Sequence, residues 1–171
     1  MAEGPSVTRQ NFGVKFDLDI TGMMNRLGAL SDKVFPYIKK TWEQIAKWAL
    51  SEVQHYTPPT HTGTDIRSMW ILETTSTEAV TEFLIRNTYK DPQVITWFEE
   101  GTEPHEIPPG PCGFLHFFTY EGQEIYTKKP VQHPGTVAWR MAEQTVQEST
   151  IIIDQYIEQT FLMVDQMLGG T

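Results

Sequence analysis

The chain of 171 residues has a single cysteine, Cys112, so no intramolecular disulfide framework is available and its cysteine usage does not point to an oxidising compartment. In PPGPCGF that thiol has no adjacent cation or helix start to stabilise a thiolate, and it reads as inert. Cations are also scarce, with 13 Lys and Arg against 22 Asp and Glu for a formal charge of −9. That excludes a broad basic face for nucleic acid, because affinity for phosphate comes largely from lysines and arginines that displace counterions. An acidic surface still suits a conduit through which DNA slides without adhering. No segment reaches the roughly 18 uninterrupted apolar residues of a membrane span. The first residues, MAEGPSVTRQNFG, lack the basic start and apolar run of a signal peptide, so the expectation is a soluble chain that is not exported. The glycines are scattered rather than gathered into a phosphate cradle, and no serine has a nucleophile-elbow context.

What is present suffices for one core: 39% of the residues are hydrophobic and 12% aromatic, most simply a single domain. Residues 1–16, with Gly, Pro, Ser and Asn among few apolar positions, read as a flexible arm ahead of a domain over 17–171. From Ile20 to Val53 apolar residues recur at spacings of three or four, the pattern of an amphipathic helix. Pro36 inside that pattern predicts a kink or split near residues 31–36, and TPPTHTGT ends the helix. RSMWILET and AVTEFLIRNT predict an antiparallel hairpin with a loop of four or five residues. Five prolines across residues 92–111 predict mostly irregular chain. FLHFFTY and QEIYTKK then flank Glu121-Gly122 as a second hairpin. Thr136 is a credible N-cap for a final helix that Gly169-Gly170 terminates. The expected fold class is α+β, an antiparallel sheet of two hairpins packed by a long N-terminal helix and a C-terminal helix.

Candidate chemistry is thin. WFEEGTEPHEI gathers Glu99, Glu100, Glu103 and Glu106 around His105, yet the Ile-Pro-Pro that follows prevents a helix from presenting ligands at i and i+4. The segment reads as a solvated acidic loop, with no metal and no cofactor. His116 within FLHFF reads as a core or sheet-face residue rather than a base, and His133 in the turn of KKPVQHPGTVAW as one that fixes the chain by a hydrogen bond. Trp42, Trp48, Trp70 and Phe83 fall in helix or strand patterns and belong to the core. Trp97 and Trp139 flank the irregular loop beside proline turns, where a partly exposed indole serves as an interface anchor, core packing being the commoner alternative for a tryptophan.

Four pieces in order, TPPTHTGTDIRSMW, WFEEGTEPHEIPP, GFLHFFTYEGQEIYTKK and PVQHPGTVAWRMAE, resemble the tail-completion (head-tail joining) proteins of long-tailed bacteriophages, a group related to the minor tail protein Z of phage lambda. The resemblance spans about residues 45–145. The matched positions are Thr62-Gly63, Arg67 and Ser68, Glu100-Gly101-Thr102 with Pro104-His105, and His133-Pro134-Gly135-Thr136. Where the family commonly has Pro-Phe after the His-Pro-Gly step, this chain has Trp139-Arg140-Met141, and its Thr-Gly turn carries one extra residue. The resemblance implies a non-catalytic virion protein of the neck, made in the host cytoplasm. It would form a ring of six copies at the head-proximal end of the tail, beside the tail terminator and the head-tail connector. DNA would pass nearby without specific binding, and no membrane would be involved. Residues 97–113 and the turn from 133 to 139 are the expected contact surface, carried by Trp97, Glu100 to Thr102, Pro104, His105, His133 to Thr136 and Trp139. A tail terminator of the same neck and, in a different class, a small metal-dependent hydrolase are the competing readings.

Overall fold

The computed structural model describes residues 3–8, 13–19, 21, 31–59, 65–77, 80–119 and 121–167. A four-stranded antiparallel sheet is built from β1 (Glu3–Thr8), β2 (Gly13–Asp19), β3 (Trp70–Ser76) and β4 (Val80–Asn87), in the order β1-β2-β4-β3. Side chains alternate across it as the pleat requires. Val14 opposes Ile85 and Phe16 opposes Phe83, all fully buried on the inner face. The outer face carries the ion pairs Lys15–Glu82 and Arg86–Glu73.

Two helices cover the inner face. α1 (Ser31–Tyr56) buries Val34, Ile38, Trp42, Ile45, Ala49 and Val53 at the predicted spacing. It runs through Pro36, which lies in its second turn and removes only one intrahelical bond there; the predicted helical stretch before Ser31 lies largely outside the described residues. The far end of α1 is anchored at Thr57, whose hydroxyl donates to the Val53 carbonyl at 2.6 Å and accepts the Trp70 indole N–H at 2.8 Å. Arg67 Nε donates to the Thr57 carbonyl at 2.6 Å from a 3₁₀ turn (Ile66–Met69) that Asp65 caps. Arg67 therefore fastens helix to sheet, whereas Thr62-Gly63 lies outside the described residues.

α2 (Pro92–Glu100) is short, and α3 (Met141–Met167) packs on α1 and the sheet through Met141, Ala142, Thr145, Ser149 and Ile153. Tyr56 of α1 donates its hydroxyl proton to Glu148 of α3, which pushes the phenol up to about 12. Two small pairings complete the fold: β5 (His105–Ile107) with β8 (Val131–His133), and β6 (Leu115–Phe118) with β7 (Glu124–Thr127).

The α+β class and both hairpins stand as expected. Four expectations are corrected. The arm over 1–16 contains β1 and the start of β2, because VKFDLD alternates and its Val14 and Phe16 find Ile85 and Phe83 opposite. The two hairpins do not share one sheet; among the described residues β6 and β7 pair only with each other, and β2 takes the place beside β4. The proline-rich stretch includes a helix, since Pro92 sits at its first turn where no N–H is needed and Asp91 accepts from Gln93 N at 3.1 Å. Thr136 is not an N-cap, for α3 begins at Met141 after Arg140, whose φ is 50°.

On the β6–β7 hairpin the Glu124 carboxylate accepts from the Tyr126 hydroxyl at 2.9 Å and lies 2.8 Å from His116 Nε2. The Tyr126 bond first, then the His116 bond, holds this carboxyl below its usual range. A depressed carboxyl favours the folded hairpin above the ordinary glutamate pKa and loses that contribution as the pH falls through the lowered one. The His116 and Tyr126 rings, stacked at 4.4 Å, are expected to separate in that acid window before the core unfolds, which ring-proton chemical shifts followed against pH would read.

Candidate functional site

The expected contact residues from Trp97 to His105 and from His133 to Trp139 meet in one place, between the C-terminus of α2 and the N-terminus of α3. α2 ends at Gly101, whose φ of 76° and N–H to the Trp97 carbonyl at 2.9 Å turn the chain outward. Two segments then run antiparallel. Thr102 and Thr136 exchange backbone bonds at 2.9 and 3.0 Å, and His105, Glu106 and Ile107 pair with His133, Gln132 and Val131. On the other side of the crossing, Trp139 N donates to the Phe98 carbonyl at 2.8 Å and Arg140 N to the Glu99 carbonyl at 3.2 Å.

This clasp is closed by two glycines that no other residue could replace without moving backbone. Gly135 has φ 87°, and a Cβ there would stand 2.3 Å from the Thr102 carbonyl oxygen. Gly101, at φ 76°, would place a Cβ 2.6 Å from the Thr136 carbonyl oxygen and 2.9 Å from Ala138 N. Each glycine thus fits against the other's strand. Pro134 pre-sets the turn, and the His133 ring accepts the Gly135 N–H at Nδ1, 3.1 Å away. The predicted turn-fixing bond of His133 is the one observed. His105 uses Nδ1 toward the Glu103 carbonyl at 2.8 Å, and the two imidazoles lie 5.0 Å apart.

Glu99, assigned from sequence to a solvated acidic loop, is buried. Its two carboxylate oxygens accept from Ala142 N at 3.0 Å and Glu143 N at 3.1 Å, supplying from another element the cap that α3 lacks locally. Burial pushes this carboxyl up, against the opposing pull of those backbone bonds. A signal existed: once Asp91-Pro92 and Gly101 are taken as helix ends, Ile95 and Glu99 fall four apart on one inward face.

The exposed residues of the clasp include large apolar side chains as well as the carboxylates of Glu100, Glu103 and Glu106. Trp97 is 46% exposed, Trp139 44%, and Val137 more so than either. Glu100 and Pro104 are exposed beside them. The Nδ1 atoms of His105 and His133 and both Glu99 oxygens are engaged in hydrogen bonds with the backbone. Among the described residues no group of three or more His, Cys, Asp or Glu could hold a metal ion. No family model, curated protein or solved structure matches this chain in comparison.

Proposed function

We propose that the protein is a structural component of the bacteriophage neck, a tail-completion protein that forms a ring at the head-proximal end of the tail and joins tail to head. The observation that carries this reading is the convergence of separated motif residues on one clasp. Glu100 to Thr102 with Pro104-His105, and His133 to Thr136, lie about thirty positions apart in sequence and are knitted by backbone pairing into a single element. Chain rigidified in that way, with Trp97 and Trp139 half-exposed on its outside, costs little further ordering when it docks. Tail terminator and connector proteins are the neighbours that this surface would meet, and the net charge of −9 keeps passing DNA from adhering.

The test is reconstitution. Tails made without the protein, mixed with filled heads, should yield infectious particles only when the purified chain is added, and it should appear at the neck in electron micrographs. A chain that binds neither tails nor heads and is missing from mature particles would overturn the assignment, and a position within the tail tube end would favour the terminator instead. Replacing Trp97 and Trp139 together by alanine should leave the circular dichroism spectrum unchanged and weaken attachment about thirtyfold or more, the scale of losing a central aromatic anchor.

A further inference from the structure

Two apolar faces outside the clasp have no cover in the described residues; the first carries Glu121 and Glu124 and ends in a pair of lysines, and the second carries carboxylates alone. The first is the β6–β7 hairpin, none of whose residues joins the hydrophobic core. A lone two-stranded hairpin is marginal in water, yet this one presents Phe118 and Tyr126, 63% and 62% exposed, on its outward side. Lys128 and Lys129 follow directly, both exposed, and they are the only lysines or arginines between residues 91 and 139. The second is the outer face of α3. With its inner face held by α1 and the sheet, helical spacing gathers Ile151, Phe161 and Leu162 with Asp154, Glu158 and Asp165 on the opposite side, all of them exposed. α3 has five carboxylates and no lysine or arginine along its whole length.

We infer that the hairpin of one copy docks on the outer face of α3 in the next copy, Phe118 and Tyr126 against its apolar stripe and Lys128 and Lys129 against Asp154 and Glu158. A second copy is the occupant because both complementary faces belong to the same chain. The contact is heterologous, leaving every open assembly with one free hairpin and one free helix face, which close into a ring where the rotation between copies brings them together. The inference rests on the ring-forming part of the proposal above, and not on the identity of the neighbours in the neck.

Charge reversal tests it in trans, with the full chain and with sedimentation velocity and native mass spectrometry as readouts. Lys128→Glu with Lys129→Glu sets carboxylates against Asp154 and Glu158, and Asp154→Lys with Glu158→Lys sets lysines against Lys128 and Lys129. Each variant should self-associate about tenfold more weakly than the wild type while keeping its circular dichroism spectrum. An equimolar mixture should assemble again, in complexes that alternate the two variants. A mixture that stays monomeric, variants that assemble alone as the wild type does, or a wild-type chain that is monomeric at every concentration each overturn the inference. Loss of tail binding by the hairpin variant with self-association intact also overturns it, by assigning the hairpin to another neck protein. Tail binding by a strictly monomeric wild type would leave the neck assignment standing while this contact falls.

Discussion

Gly135→Val is expected to open the clasp and lower the unfolding temperature by about 6–20 °C, the equivalent of about 3–5 kcal/mol at this chain length. Two costs add. A β-branched residue at φ 87° resists the left-handed region by about 1–2 kcal/mol or more. Its Cβ would also fall 2.3 Å from the Thr102 carbonyl oxygen, an atom of backbone that can retreat only by breaking the exchanged bonds between Thr102 and Thr136. Gly122→Ala separates the two terms: its φ is 80°, with nothing within 4 Å of the added carbon, so only the conformational cost of about 1 kcal/mol remains. Differential scanning calorimetry gives the magnitudes, and amide exchange at Thr102 and Thr136 says whether the loss is local. Equal effects at Gly135 and Gly122 would refute the interlocked geometry. The core cluster takes in Ile95, Met141 and Ala142 beside the clasp but none of residues 101–107 or 131–137, so the variant should stay folded and fail to attach to tails.

The legible parts of this fold are those whose signal is local and periodic. α1 is readable because Val34, Ile38, Trp42, Ile45, Ala49 and Val53 repeat at helical spacing, and the β3–β4 hairpin because β-branched and aromatic residues flank a short polar link. Composition misleads where position decides. A proline weighs against a helix in general, yet Pro92 at the first turn favours one, and the alternation of Val14 and Phe16 is short beside the glycines and asparagine of the first segment. The clasp was half-visible. Its glycines, prolines and His133 mark turns that can be recognised alone, but the pairing of His105 with His133 and Thr102 with Thr136 is a long-range choice that no local rule specifies. Thr136 shows the limit well: a hydroxyl residue before a helical pattern is a fair N-cap, and it lost that role because Thr102 took its backbone.

Glu99 carries the second large effect, and its charge and its hydrogen bonds act in opposite directions. Glu99→Ala leaves the N–H groups of Ala142 and Glu143 without their acceptor at a helix start where Ala142 is fully buried, a loss of about 2–4 kcal/mol and of about 4–16 °C in the unfolding temperature. Glu99→Gln keeps one acceptor oxygen and the shape of the side chain, and should recover more than half of that loss. The pH dependence then separates charge from geometry. Burial raises the carboxyl above its ordinary value, so the folded state holds this proton more tightly than the unfolded chain does. The stability contributed by that preference is complete below the ordinary glutamate pKa and is lost as the pH rises through the raised one. Glutamine does not titrate, so the Gln variant should gain on the wild type as the pH is raised from acid toward neutral. The opposite trend would mean that the two backbone bonds outweigh desolvation and that the ionised carboxylate, not merely an acceptor, is what α3 requires at its first turn.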